Sequence, residues 1–438
     1  MARRPKKRAV SSEPFETAVT ALGAQGDGLA ENEATDGTRL FIPYTVPGDR
    51  VRARRTAVDR AEPLDWLTLG PRRQTPPCPH FGPGKCGGCA VQHLDDAFYA
   101  EWKARIAADT LARAGLAGFE LAPLRRTAPR ERRRAEFVAR VSRGEVTVGF
   151  HARGSHDIVA IGPCPILVPA LERVLGPLRE FLSAALAEPS VLDILATALD
   201  SGLELVFTGA APPDRARREA CARFAEQHDL TRIAWRRAKT DSPETIIQRR
   251  PLRIQFGDIP VDLPAAAFLQ ASAAGERAIV EVVRTATGTA RRLADLYAGS
   301  GAIALALADG KRRIHAVEAA KEMIEALDLA ARRAGFGGPI SVERRDLVRR
   351  PLIGEELAAF DAVVFDPPRE GAAAQAVALA DSKVPVVIGV SCNPATFARD
   401  AQILVRGGYR LTAVTPIDQF LWSPHLELVG EFRRGRQR

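Results

Sequence analysis

From about residue 260 to the end, short apolar segments alternate with Ala-rich ones, and this pattern restricts the C-terminal part to few architectures. RRLADLYAG, RIHAVEA, FDAVVFD and VPVVIGVS each have the length of a buried strand, and each precedes a stretch of helical composition. Strands separated by helices pair in parallel through crossovers, so the expected class is α/β: a doubly wound, Rossmann-like sheet. The last segments, YRLTAVTPIDQF and LELVGEF, add two strands expected to form an antiparallel pair.

Upstream the texture differs, and 438 residues suit two or three domains. Residues 1–13 form a basic leader expected to be disordered. Residues 14–72 read as a small β-barrel module, with strand-like RLFIPYTV and VRARRTAV separated by turn chemistry at GAQGDG and PGD. Pro76, Pro77 and Pro79 then break the chain. Residues 73–258 mix strands (AEFVARV, EVTVGF, LELVFTG) with helices near 90–116, 168–188 and 213–228, an α+β pattern. Residues 259–438 carry the doubly wound sheet.

Lys and Arg number 62 against 53 Asp and Glu, a net charge of +9. The excess comes in clusters at Arg3–Arg8, Arg125–Arg134, Arg236–Lys239 and Arg433–Arg438. Clustered arginine suits phosphate binding, so a polyanion such as RNA is the expected partner; Arg-rich coding in a GC-rich genome accounts equally well for any single cluster. No run of about 18 apolar residues exists, so no transmembrane helix is expected. The start, MARRPKKRAV, lacks the apolar core of a secretory signal, which leaves the cytoplasm as the expected location. Cys78, Cys86 and Cys89 fall within twelve residues, a local cluster that reads as a metal site in a reducing compartment.

The first strand of the sheet runs into Asp295-Leu-Tyr-Ala-Gly-Ser-Gly301. Gly299 and Gly301 allow the sharp turn that brings backbone close to a ligand at a strand's carboxyl end. Glu318, 17 residues after Gly301, can accept ribose hydroxyls. The loop lacks the third glycine of a dinucleotide fingerprint, and Asp295 stands four residues before Gly299, which points to S-adenosylmethionine; a purely structural corner is the alternative. The next strands end in Asp346, a candidate for the adenine amino group, and Asp366.

Val390-Ser-Cys-Asn-Pro394 follows an apolar strand, so Cys392 is expected at the sheet's carboxyl edge. A thiolate there could add to C6 of a pyrimidine and make C5 nucleophilic toward a methyl group. Glu427, in SPHLE, is the candidate base for the C5 proton; a buried inert thiol and a solvent-facing acid are the plain alternatives. In Asp366-Pro-Pro-Arg369 the fourth residue is not an aromatic, which argues against an exocyclic amine as methyl acceptor.

Together these residues resemble the RNA uracil-5-methyltransferase family, in its bacterial branch with an N-terminal TRAM domain and an iron–sulphur cluster. VSCNPATFARD (390–400), DPPREG (366–371), PAAAFLQAS (264–272) and TPIDQF…HLE (415–427) carry the resemblance, which spans nearly the whole chain. It implies Cys392 as nucleophile, Glu427 as base, and Gln270, Tyr297, Gly299, Gly301, Glu318, Asp346 and Asp366 around S-adenosylmethionine. It also implies a [4Fe–4S] cluster on Cys78, Cys86, Cys89 and Cys164, with zinc on the same residues, or on three of them plus His80 or His93, as the alternative. The C-x7-C-x2-C run has a first interval two residues longer than the family's usual one. Residues 14–72 look like the TRAM module, whose Arg52, Arg54 and Arg55 would track phosphates. Other departures are Tyr297 for Phe, Ala302 for Asn, Ser272 for Asn, and Leu421-Trp422 for Pro and Gln. The resemblance favours ribosomal RNA over tRNA as substrate; no dimerisation signal is visible in the sequence, so a monomer is the default expectation. The rival functions are exocyclic-amine methylation and RNA binding without catalysis.

Overall fold

The computed structural model describes residues 13–31, 37–142, 144–185, 190–209 and 211–435. Most of the basic leader and the last three residues lie outside them. The chain forms two compact units: Met1–Lys103 with Ala152–Ser155 and Trp422–Pro424, and Ala104–His151 with His156–Leu421 and His425–Arg438.

The first unit is built on a six-stranded sheet in the order Phe15–Ala18, Arg50–Ala57, Arg60–Thr68, Leu40–Ile42, Gly28–Ala30, Ala21–Leu22. Its two outermost strands are neighbours in sequence, so the sheet curls back toward its own start. Along Arg50–Ala57 buried and exposed residues alternate, the period of a strand with one face on a core. That core is Ala30, Leu40, Ile42, Val51, Ala53 and Ala61. Asp49 secures the corner before this strand, accepting from the N–H groups of Val46 and Gly70, each at 2.8 Å. Burial alone would raise its pKa, but the Arg73 guanidinium and these two N–H groups outweigh burial and lower it. Two arginines expected to track phosphates are matched within the sheet: Arg52 pairs with Asp65 and Arg54 with Glu62.

Among the described residues the second unit holds the two-stranded antiparallel pair Arg253–Phe256 with Ile259–Asp262 and two large sheets. One has seven strands in the order Ile158–Ala160, Glu145–His151, Arg134–Ser142, Ser190–Leu199, Gly202–Thr208, Leu230–Arg236, Glu244–Gln248. Its one parallel pair, Gly202–Thr208 with Leu230–Arg236, is joined by the helix Arg215–Gln227, which Asp214 caps by accepting from Arg217 N–H. The other sheet has five parallel strands in the order Ile340–Arg344, Arg313–Glu318, Arg292–Leu296, Ala362–Phe365, Val386–Ser391. Glu427–Arg434 and Tyr409–Asp418 continue it antiparallel, as expected, and Glu120–Leu121 and Arg125–Arg126 lie along the last of these.

Amphipathic helices Ala273–Thr287, Lys321–Arg333 and Pro394–Arg406 bury their apolar stripes, and the first two join the sheet's main core cluster. One expected helix is absent. After Arg292–Leu296 the chain makes turns through residues 299–307, with only scattered helical bonds such as Leu305 N–H to Gly301 O. Asp295 takes the Ala304 N–H at 2.9 Å, which a regular helix would give to Ser300 O. No helix among the described residues is long and apolar enough to cross a membrane.

Candidate active site

Strand direction assembles the site. Ser391 pairs with Leu428 across the antiparallel strands, so the next residue, Cys392, falls opposite Glu427 although 35 positions separate them. Cys392 leaves the carboxyl end of its strand half-buried. Asn393 then caps the following helix and donates to Arg369 O at 3.1 Å, holding the DPPR turn beside the thiol. Burial raises the Cys392 thiol to about 11; the fields of Glu427 and Asp366 add to this and Arg369 opposes it.

Glu427 is buried and Asp366 is half-buried. Burial raises both carboxyls well above their ordinary range, Asp366 pushes Glu427 further, and amide N–H donors oppose the rise. Those donors form a chain. Gln270 Nε2 donates to Asp366 Oδ2 at 3.0 Å. Gln419 Nε2 donates to Gln270 Oε1 at 2.7 Å and to Glu427 Oε2 at 2.8 Å. Four residues from three distant segments thus share one hydrogen-bond network beside a thiol.

The other predicted residues gather at the ends of the neighbouring strands. Tyr297, Gly299 and Gly301 all have positive φ, at 62°, 55° and 98°. A Cβ on Gly301 would lie 2.9 Å from the side chains of Leu305 and Leu327, so only glycine fits there. Glu318 ties this loop to the next strand: it accepts from Gly299 N–H at 3.0 Å and from the N–H groups of Ala319 and Ala320 at 2.8 Å. Asp346 accepts from Val348 N–H at 3.0 Å and remains about half exposed. Asp295 Oδ1 and the Tyr297 hydroxyl are buried without a hydrogen-bond partner. Burial raises Asp295 to about 8, against the Ala304 N–H, and Tyr297 to about 12. A glycine loop with two unmatched polar atoms, carboxylates at successive strand ends and no phosphate cradle suits a cationic nucleoside such as S-adenosylmethionine.

One departure in the motifs has a structural account, and the other is placed by its backbone alone. Ser272 caps the helix Ala273–Thr287 by accepting from Gly275 N–H at 3.0 Å, a task Ser and Asn perform alike. Trp422 is buried in the first unit, where its carbonyl accepts from the N–H groups of Ala90 and Val91 at 2.8 and 3.2 Å.

Sequence reading missed Gln419, although it lies inside the TPIDQF motif, because nothing local distinguishes a buried amide from an exposed one. It also missed Arg133. That residue belongs to a cluster read as an RNA-facing surface, yet it is buried, paired with Glu276 at 2.6 Å, and donates to Gln270 O at 3.1 Å.

Cys78, Cys86 and Cys89 share one loop of the first unit, half-buried, with Gly88 N–H donating to Cys86 Sγ at 3.4 Å. Burial raises the Cys86 thiol, Gly88 opposes, and Cys78 adds to the rise. Cys164 is buried and belongs to the second unit. Among the described residues no group of three His, Cys, Asp or Glu side chains is assembled to hold a metal ion. His93 is buried and its pKa is lowered to about 4, chiefly by burial.

A model of the family described as tRNA (Uracil-5-)-methyltransferase matches residues 340–432. An uncharacterized RNA methyltransferase of Brucella suis biovar 1 is 42% identical over 428 residues, covering 98% of this chain and 100% of that protein. The 23S rRNA (uracil(1939)-C(5))-methyltransferase RlmD of Chromohalobacter salexigens is 34% identical, covering 95% and 90%. The crystal structure of Pyrococcus abyssi tRNA (uracil-54, C5)-methyltransferase with S-adenosyl-L-homocysteine matches with a TM-score of 0.73 at 19% identity, over 95% of this chain and 100% of that one, and so shares its fold. On this similarity the chain belongs to the S-adenosylmethionine-dependent RNA (uracil-5-)-methyltransferase family.

Proposed function

We propose that the chain methylates C5 of one uridine in RNA through a covalent adduct on Cys392, with 23S ribosomal RNA as the substrate. The observation that carries this reading is the Ser391–Leu428 pairing, after which Cys392 leaves its strand at the edge where Glu427 enters the next, the thiol lying within the carboxyl's field. Both ring faces must be reached, so the uridine leaves its stack. Cys392 sulphur bonds to C6 and the C5–C6 π electrons move toward C5 and O4. The thiol is protonated at neutral pH, so it gives its proton to solvent water as the sulphur–C6 bond forms, which leaves Glu427 free for the C5 proton; burial, Glu427 and Asp366 hold the proton on the sulphur and Arg369 favours the thiolate. S-adenosylmethionine supplies an electrophilic methyl group when bound; Gln270, Tyr297, Gly299, Gly301, Glu318, Asp346 and Asp366 would hold it. Glu427 then takes the C5 proton, the pair of electrons restores C5–C6, and the sulphur departs.

The substrate assignment rests on the likeness to RlmD; uridine in tRNA is the other outcome of the test. We read residues 14–72 as a TRAM module, 73–258 as the RNA-binding and cluster-bearing part and 259–438 as the methyltransferase domain. The cluster would be [4Fe–4S], held by Cys78, Cys86, Cys89 and Cys164. Three thiols on one loop and an N–H directed at Cys86 sulphur support that reading. Iron and acid-labile sulphide would be measured on anaerobically purified protein, zinc being the contrary result.

The function is tested with total RNA from a strain lacking the gene, in which one 5-methyluridine is expected to be missing. The chain should form a denaturant-resistant complex with RNA containing 5-fluorouridine, and the Cys392→Ala variant should not. Full turnover by Cys392→Ala would refute the covalent route.

A further inference from the structure

We infer that Gln419 is a positioning residue for Glu427, deciding which carboxylate oxygen receives the C5 proton; this rests on reading Glu427 as the base. Gln419 is 3% exposed and every polar atom of its amide is engaged. Its Oε1 accepts from Ala271 N–H at 3.0 Å. A backbone N–H only donates, so this bond fixes the amide's orientation without reference to any other group. Both protons of Nε2 must then go where they are seen, to Gln270 Oε1 at 2.7 Å and Glu427 Oε2 at 2.8 Å. Because Gln270 accepts through Oε1, its own Nε2 faces Asp366. Neither amide can turn over without setting oxygen against oxygen and N–H against N–H.

The surroundings are built to keep this arrangement. A Cβ on Gly275 would lie 2.6 Å from Gln419 Cβ, so the helix Ala273–Thr287 passes here with glycine. Asp418 O, the adjoining carbonyl, accepts from both the N–H and the hydroxyl of Thr127, at 3.1 and 3.0 Å. Arg133 grips the Gln270 carbonyl.

Two consequences follow for Glu427. Its Oε2 already receives a proton donor, so the proton taken from C5 is received on Oε1. The Gln419 N–H also stabilises the ionised carboxylate against burial and against Asp366. The titratable groups that face Glu427 are Asp366 and Cys392. Gln419 touches no reacting atom. It is a strut that gives a buried carboxylate one reactive oxygen.

The experiment separates the early steps from proton removal. Transcripts of 23S rRNA and of tRNA are made with uridine or with 5-fluorouridine and incubated with methyl-labelled S-adenosylmethionine. On fluorinated RNA the chain is trapped after methyl transfer, without need of a base at C5. Gln419→Met should trap within about twofold of the unaltered chain, yet turn over uridine RNA about 10–100-fold more slowly, the range of a misplaced general base. Its uridine adduct should accumulate, and its deficit should shrink as pH rises from about 7 to 9, because loss of the N–H raises the Glu427 pKa. Trapping lost in proportion to turnover, unchanged turnover, or a deficit independent of pH would each overturn the inference. Glu427→Gln, run alongside, should accumulate the uridine adduct; its failure to do so would remove Glu427 as the base whatever Gln419 does.

Discussion

Replacing Arg133 by Met leaves the Glu276 carboxyl buried without its counter-charge. The pair lies at 2.6 Å with side chains only 8% and 10% exposed. Removing one member of such a pair costs about 3–5 kcal/mol, most of it the penalty of a stranded charge. Burial already raises the Glu276 pKa, with Arg133 as the main opposing influence, so the variant's carboxyl rises further. A carboxyl whose folded pKa exceeds its unfolded value favours the fold at low pH and loses that contribution as pH climbs through the interval between them. The variant should therefore be closest to the unaltered chain near pH 5 and furthest from it above neutrality. For a unit of this size each kcal/mol moves the thermal midpoint by about 2 °C, so a fall of about 6–10 °C is expected at neutral pH by scanning calorimetry. Arg133→Met with Glu276→Leu should recover most of it, since an apolar pair replaces the ionic one without stranding a charge. A single variant within about 2 °C of the unaltered chain, or a double variant as unstable as the single, would refute the reasoning.

Gly301→Ala should weaken S-adenosylmethionine binding in titration calorimetry and cost about 1–3 kcal/mol of stability, because φ is 98° and the new methyl meets Leu305 and Leu327. Alkylation of Cys392 by iodoacetamide, followed by peptide mass spectrometry, should accelerate steadily with pH toward about 11, where half the thiol is ionised. Glu427→Gln removes a charge that raises that thiol and should quicken alkylation at a given pH. Asp49→Asn should destabilise the first unit by about 3 kcal/mol at neutral pH, as Arg73 loses its partner. Asp49 has a lowered pKa, so its contribution is present above the unfolded carboxyl range and fades as pH falls below about 4; the melting difference between the two proteins should shrink there.

The parallel sheet was legible because each strand is a continuous apolar run bounded by turns, and strand ends locate a pocket without any knowledge of packing. That reasoning placed Gly299, Glu318, Asp346, Asp366 and Cys392 at one edge. What it could not supply was register. Cys392 and Glu427 were linked in the sequence by chemistry and family likeness, whereas the structure brings them opposite one another through pairing that no local pattern encodes. Long-range burial was equally hidden: Arg133 and Arg134 are adjacent in a basic run, yet one carries an ion pair with a helix residue 143 positions away. The segment after Gly301 misled for a different reason. Its Ala-rich composition favours helix, but Asp295 removes one N–H from the helical ladder, and a tertiary hydrogen bond prevails over propensity.

The reversal of the last two strands has a consequence for how this fold can host such chemistry. Had Glu427–Arg434 run parallel to Val386–Ser391, its first residue would sit at the far edge, about 20 Å from the thiol at roughly 3.3 Å per residue over six residues. Running the opposite way, the incoming end of one strand meets the outgoing end of the other. The doubly wound portion could hold a methyl donor by itself, whereas a two-step addition and elimination needs a group arriving from the opposite direction. Transplanting only the five parallel strands into another protein would thus carry the donor pocket across and leave the proton with nowhere to go.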